Sequence, residues 1–338
     1  MNLSTRYLGF DLPHPLMPGA SPLVDDLDLV RRLEDAGAAA IVMHSLFEEQ
    51  IVHQQHATAA FTEDPAESFP EALSYFPEPI AHRLGAQGYI EQLRRVKEAV
   101  SVPVVASLNG TRPGVWLQYG LLLEEAGADA LEMNFYQLAT ALDIPGQLIE
   151  HRIVELAAQM KGELDIPVAV KLSPFHTALA HLAAELERAG VDGLVLFNRF
   201  YQADIDIEEL DVVRTLRLSD PSELLLRLRW LAILSGRIGT SLAVTGGVHD
   251  VEGIVKAVMC GADAVQVVSC LLRSGPERLA TLRTGLERWL IEHEYDSLAQ
   301  MRGSMSLERC PDPAAYERAN YIGVLQSWRA RTDPFEIN

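Results

Sequence analysis

The chain has 338 residues, 48% of them hydrophobic, and carries 47 acidic against 28 basic side chains, a formal charge of −19. A surface of that sign repels a phosphate backbone, and no Lys/Arg cluster longer than a pair appears, so nucleic acid is not an expected substrate. Cys260, Cys270 and Cys310 are odd in number and lack CxxC spacing, which speaks against a disulfide framework and an iron–sulfur cluster.

The first residues, MNLSTRYLGFDLPHP, have neither the basic start nor the apolar run of a signal peptide. No stretch of ~18 apolar residues follows, so the expectation is a cytoplasmic protein without a membrane partner. Eight short apolar runs, bounded by Pro or Gly, then read as buried parallel strands: PLMPGAS (15–21), AIVM (40–43), PVVASLNG (103–110), ALEMN (130–134), PVAVKLSP (167–174), GLVLFN (193–198), SLAVTGG (241–247) and AVQVVS (264–269). Four of them sit inside a repeated phrase in which an amphipathic helix ends in Gly and a strand follows: LEDAGAAAIVM (33–43), LEEAGADALEM (123–133), LERAGVDGLVL (186–196) and VMCGADAVQV (258–267). Gly takes the left-handed conformation that ends a helix, so each phrase is half of a βαβ unit. Eight such strands predict an α/β fold, a (β/α)8 TIM barrel; an open doubly wound sheet is the alternative, but no GxGxxG follows the first strand.

A minimal barrel needs ~250 residues, and the surplus falls in three places. Residues 44–88 after the second strand and 199–220 after the sixth read as loop insertions, and a helical extension follows residue 294. The expected organisation is one barrel over 1–294 with 295–338 packed outside it.

Barrel chemistry lies at the C-terminal ends of the strands. Those ends carry Ala20 and Ser21, His44 and Ser45, Asn109, Asn134, Lys171, Asn198, Gly246 and Gly247, and Ser269. The set is small and polar with one buried-looking cation, and no carboxylates or histidines converge as a metal site would need. The VTGGV segment (244–248) and the helix start after Ser269 offer backbone donors to a phosphate, although a Gly pair also serves a plain tight turn. Lys171 must be paired or functional, because an unpaired buried ammonium is costly. A salt bridge to a loop carboxylate, a Schiff-base lysine and a cation beside an electron-accepting ring all fit that position. The His53, Gln54, Gln55, His56 cluster reads as a polar loop, and Phe200 and Tyr201 as ring-closing residues or lid packing.

Taken in order, LGFDLPHPLMPGAS, LEMN, VKLSP, Asn198, TGGV and GADAVQVVS resemble the dihydroorotate dehydrogenase family of FMN barrels, over roughly residues 5–290. The resemblance implies FMN as cofactor, hydride transfer from a small substrate, pyrimidine biosynthesis, an external electron acceptor and a homodimer. It implies further that Ala20 and Ser21 lie against the flavin, that Asn109, Asn134 and Ser45 approach it, and that Lys171 sits by its pyrimidine end. Gly246, Gly247 and Ser269 would hold the phosphate, and Asn134 and Asn198 the substrate.

The departures fall on the substrate side. Where the family has NxSCPN or NxSSPN, this chain reads Asn134-Phe135-Tyr136-Gln137-Leu138, so the base position holds Gln137, which has no basic group near neutral pH. His44 stands where the family has Lys, and Leu73-Ser74-Tyr75-Phe76 where it has NxMGLPN. Replacement bases in the same region are His44, Tyr136 and His176. Two other readings follow from the residues: a flavin-carrying subunit of a redox complex without dihydroorotate activity, and a non-flavin sugar-phosphate barrel with Lys171 as Schiff base.

Overall fold

The computed structural model describes residues 1–51, 85–110, 113–213, 215–318 and 320–327. The 53–56 cluster and the 73–76 segment lie outside those residues. A hairpin of β1 (Thr5–Tyr7) and β2 (Phe10–Leu12) opens the chain. Then come β3 (Leu16–Pro18), β4 (Ile41–Phe47), β5 (Val104–Asn109), β6 (Ala130–Asn134), β7 (Val168–Leu172) and β8 (Gly193–Leu196), a second hairpin of β9 (Asp204–Asp206) and β10 (Asp211–Val213), and finally β11 (Ser241–Thr245) and β12 (Ala264–Val267). The eight strands other than the hairpins pair in parallel in the order β3-β12-β11-β8-β7-β6-β5-β4. Ala39 N–H, just before β4, donates to Leu16 O of β3 at 3.1 Å, so the two outer strands face each other and the sheet is a nearly closed (β/α)8 barrel.

Helices α1 (Leu27–Asp35), α2 (Ala86–Ala99), α3 (Pro113–Glu125), α4 (Gly146–Glu163), α5 (Leu179–Arg188), α6 (Leu224–Leu234) and α7 (Val251–Met259) cover the outside. The four Gly-ended phrases are built as expected: Gly37, Gly127, Gly190 and Gly261 all have positive φ. Three of them carry a further device. Asp129, two residues past its Gly, accepts from Val104 N–H at 2.6 Å and from Lys97 Nζ at 2.5 Å. Asp192 does the same with Val168 N–H and Lys161, both at 2.7 Å. Asp263 accepts from Leu242 N–H at 2.8 Å and pairs with Arg302. Each carboxylate therefore pins the start of one strand to the start of its neighbour. In the first phrase the position is Ala39, which is instead buried against the N-terminal hairpin.

Side chains alternate along the strands, so residues two apart share a face. The inward positions at the lower end of the barrel are small, Val42, Val105, Ala130, Ala169, Val195, Ala243 and Ala264, and Tyr7, Leu8 and Leu12 of the hairpin plug them. Gly193 lacks a Cβ where one would sit 2.6 Å from Leu8 Cδ2, which lets the plug enter. The insertion after β8 contains the β9–β10 hairpin, which the sequence reading did not resolve. After β12 come α8 (Ser269–Ser274), α9 (Arg278–Glu292) and a segment whose backbone bonds Gly303 to Val258, Met305 to Met259 and Leu307 to Ala232. Among the described residues no helix is long and apolar enough to cross a membrane, and no group of three or more His, Cys, Asp or Glu is placed to hold a metal.

Candidate active site

Above the apolar plug, the inward positions of β6, β7 and β12 turn polar. Lys171 Nζ donates to Glu132 Oε1 at 3.1 Å and Gln266 Nε2 to Glu132 Oε2 at 2.7 Å, all inside the barrel. Glu132 has no exposed surface and Lys171 is 6% exposed. The partner of Lys171 is thus a strand carboxylate, not one from a loop. Gln266 Oε1 is buried without a hydrogen-bond partner among the described residues.

One step further toward the C-terminal end lies a row of hydroxyls and amides. Ser45 Oγ is 2.8 Å from Ser107 Oγ, Asn134 Nδ2 donates to Ser45 Oγ at 3.3 Å, and Asn198 Nδ2 donates to Asn134 Oδ1. Asn198 N–H also donates to Leu172 O at 2.8 Å, which sets its height on the barrel. The row is buried throughout, as is Asn109, which stands beside Asn134 in the β5–β6 register. Buried amides of this kind lock into one arrangement because leaving any unpaired costs ~1–3 kcal/mol. Ser21, which follows β3 and the half-buried Ala20, has a buried Oγ with no partner.

The ends of β11 and β12 form a second feature. Gly246 and Gly247 have φ of 87° and 81°, so both take the left-handed conformation. A Cβ on Gly247 would lie 2.4 Å from Leu224 N, and one on Gly246 would lie 2.7 Å from a guanidinium nitrogen of Arg227. Gly247 N–H donates to Ser219 Oγ at 3.3 Å, while Ser219 donates from Oγ at 2.8 Å and from N–H at 3.0 Å to Ser269 Oγ. Behind them Arg227 is buried, held by Thr245 O and by Glu223 O at 2.5 Å. Burial lowers its pKa, which marks a cation kept close behind the glycines at some cost. His249 Nε2 stands 3.3 Å from Ser219 Oγ, its pKa lowered by burial and then by Arg273. Hydroxyls, a glycine N–H, a helix start and a buried cation thus gather on one side of the barrel mouth, the kinds of group that anion sites use.

Of the residues singled out from the sequence, Ser45, Asn134 and Asn198 are joined by hydrogen bonds, and Lys171 lies in the layer beneath them. Gly247 and Ser269 meet through Ser219. His44 sits apart from the row: its Nδ1 is 2.7 Å from Asp25 Oδ1 and its ring meets Tyr89 edge-on at 5.0 Å. Burial lowers its pKa, and Asp25 opposes that shift. Tyr136 is half-buried, its OH accepting from Tyr201 N–H at 3.4 Å, and Gln137 is exposed. His176, 3.5 Å from Glu150, also has its pKa lowered by burial. Phe200 packs edge-on to Phe175 at 4.8 Å, and Arg199 lies over the Tyr201 ring at 5.4 Å.

Ser219, Glu132, Gln266, Arg227 and Asp25 were not picked out from the sequence. The signal for Ser219 was present in Ser219-Asp220-Pro221, a helix-start phrase in which Asp220 caps the turn leading into α6.

Eight parallel strands with helices between them, carrying a polar row and a glycine turn at their C-terminal ends, define the (β/α)8 barrel class. No family model matches the chain. It is 25% identical over 310 residues to the dihydroorotate dehydrogenase B (NAD(+)) catalytic subunit of Thermoplasma acidophilum, an alignment spanning 89% of this chain and 98% of that protein. The corresponding subunit of Methanothermobacter thermautotrophicus is 28% identical over 226 residues, 65% of this chain and 73% of that one. The NAD-dependent dihydropyrimidine dehydrogenase subunit PreA of Escherichia coli is 21% identical over 323 residues, 89% of this chain and 76% of that one. These relatives, dihydroorotate dehydrogenases and a dihydropyrimidine dehydrogenase subunit aligned over most of the chain, support a dihydroorotate dehydrogenase-like oxidoreductase.

Proposed function

We infer that the chain is an FMN-dependent oxidoreductase of the dihydroorotate dehydrogenase type. Its substrate is a small cyclic or carboxylated molecule, dihydroorotate by default, and its electrons leave to an external acceptor. The observation that carries this reading is the pairing, on one end of the barrel, of the Ser219–Gly247–Ser269 anion seat with the Ser45–Ser107–Asn134–Asn198 row. The residues fit the cofactor: Ser21 Oγ and Gln266 Oε1 are buried polar atoms with no hydrogen-bond partner among the described residues, and Gly247 has no room for a side chain. When bound, FMN supplies a hydride acceptor at N5.

In this reading Gly246, Gly247, Ser219 and Ser269 hold the phosphate, with Arg227 behind them supplying positive potential. Ala20, Ser21, Ser45, Asn109, Asn134 and Lys171 surround the ring, and Asn134 and Asn198 orient the substrate. Gln137 accepts no proton, so the proton goes elsewhere. His44, its pKa lowered by burial and its Nδ1 2.7 Å from Asp25 Oδ1, is the candidate acceptor in this reading. The Schiff-base reading is disfavoured because the amine of Lys171 is engaged by Glu132.

Gln137, which has no basic group, favours one second reading, a flavin-carrying subunit without dihydroorotate turnover. By family resemblance the barrel over 1–294 with its 295–338 extension works in the cytoplasm as a homodimer. The test is a visible spectrum of the purified protein followed by anaerobic dihydroorotate. A flavin spectrum, with FMN released on denaturation, is expected, and bleaching identifies the default substrate. A flavin spectrum without bleaching moves the protein to another substrate or to the subunit reading. A colourless protein that FMN does not reconstitute refutes the proposal.

A further inference from the structure

Glu132 dictates the hydrogen-bonding character of the two side chains beside it. It receives Lys171 Nζ on Oε1 at 3.1 Å and Gln266 Nε2 on Oε2 at 2.7 Å, and it has no exposed surface. A carboxylate paired with an ammonium only accepts, so the Gln266 amide must turn its NH2 toward Glu132 and its carbonyl away. Gln266 is 1% exposed, and its Oε1 has no hydrogen-bond partner among the described residues.

The direction of that carbonyl is fixed by a glycine. A Cβ on Gly19 would lie 3.2 Å from Gln266 Oε1, which puts the carbonyl beside the end of β3, next to Ala20 and the unpartnered hydroxyl of Ser21. Lys171, the register neighbour of Asn134, has more N–H donors than one carboxylate oxygen engages. Below this layer the apolar plug of Tyr7, Leu8 and Leu12 closes the barrel, so a ligand reaches these groups only from the C-terminal mouth. A buried acceptor left empty is costly, and native structures rarely keep one without a purpose.

A donor and an acceptor held on the two oxygens of one carboxylate stand side by side. They complement a ring edge on which a carbonyl adjoins an N–H. We propose that Gln266 is a cofactor-binding residue whose Oε1 accepts the ring N3–H of the flavin while Lys171 donates to the neighbouring ring carbonyl, with Glu132 as the positioning residue that orients both. The proposal rests on the FMN reading above and adds to it the groups that recognise the pyrimidine edge of the ring.

The test is titration of the full chain, freed of flavin, with FMN and separately with N3-methyl-FMN, followed by flavin fluorescence. The methyl group removes the one donor that Gln266 accepts and leaves the phosphate unchanged. Wild-type protein should bind FMN ~10-fold or more tighter than the methylated analogue. Gln266→Met keeps a similar volume without the carbonyl; it should weaken FMN ~10-fold and leave the analogue nearly unchanged, so the ratio falls toward one. A methyl group excluded by pocket shape alone would keep its full ratio in that variant. Glu132→Gln frees the Gln266 amide to turn over and should lower the ratio too, whereas a purely structural loss weakens both ligands alike. If Glu132→Gln does not fold, Gln266→Met still decides. FMN binding without discrimination in the wild type, or a ratio that survives in Gln266→Met, overturns this proposal alone; a wild-type protein that binds neither ligand overturns it together with the FMN reading.

Discussion

Glu132→Gln is the most informative single substitution, because it changes one charge at the centre of the barrel and almost no volume. Glu132 has no exposed surface and accepts from both Lys171 Nζ, at 3.1 Å, and Gln266 Nε2, at 2.7 Å. The amide that replaces it turns an NH2 toward one of those two donors and leaves the ammonium of Lys171 without a counter-charge. Unit charges at 3.1 Å attract by about 5 kcal/mol at an effective dielectric of ~20. Desolvation offsets part of that attraction in the intact protein, but removing one partner of a buried pair typically costs ~3–5 kcal/mol. The expected loss of unfolding free energy is therefore about 4 kcal/mol. Urea unfolding followed by circular dichroism reads it as a lowered midpoint at unchanged slope. The double variant Glu132→Gln/Lys171→Met removes both charges and should recover most of the loss, since the penalty comes from an unpaired charge and not from the missing pair. A loss below ~1 kcal/mol, or a double variant no more stable than the single, would refute the reasoning.

His14 has its pKa pushed down to about 4 by burial, with Arg283 adding repulsion and a hydrogen bond involving Gly37 opposing it. Its folded value lies below the unfolded 6.5, so its contribution is fully present above about pH 6.5 and is lost as pH falls toward 4. Wild-type protein should lose about 2 kcal/mol by pH 5 that His14→Gln does not; equal pH slopes in urea unfolding would contradict this. Gly247→Ala places a Cβ 2.4 Å from Leu224 N at a φ of 81°. It should weaken FMN binding ~10-fold or more, read by flavin fluorescence titration, and unchanged affinity would remove Gly247 from the phosphate seat. Asp25→Asn withdraws the carboxylate that holds the His44 pKa up against burial. Its ring titration, followed by NMR, should move to lower pH; a midpoint that stays put would show that the pair is not coupled.

The strands and the helix ends were legible because each carries a local signal. Gly at the end of LEDAG, LEEAG, LERAG and VMCG predicts a left-handed residue, and all four positions show one. The hairpins at 5–12 and 204–213 were not legible, since three-residue strands are too short to display a period of two. The partner of Lys171 was within reach: residues 130, 132 and 134 share a strand face, so Glu132 had to point where Ala130 and Asn134 point. Inside ALEMN the flanking apolar residues mask that direction, because hydrophobicity alone does not say which face a residue takes. The Asp129, Asp192 and Asp263 pins were likewise visible as a repeated letter, but their bonds run to strands 21–25 residues earlier in the chain, and no local rule supplies that pairing.

The division between what the barrel fixes and what its loops decide explains why the strand-end residues follow the family's pattern and the loop residues depart from it. Lys171, Asn134 and Gly247 lie on or directly beside strand ends whose positions the parallel register sets. Altering them disturbs buried hydrogen bonds and a tightly packed turn, so each is held by stability as well as by ligand. Gln137 is exposed, and the loops after β6, β7 and β8 touch chiefly one another, through Tyr136 with Tyr201 and Phe175 with Phe200. Residues on such a wall change at small cost to the fold. Loop residues of such a barrel can therefore change while the strand-end residues stay in place. Gln137 is exposed and stands outside the buried network that holds Asn134 three residues before it.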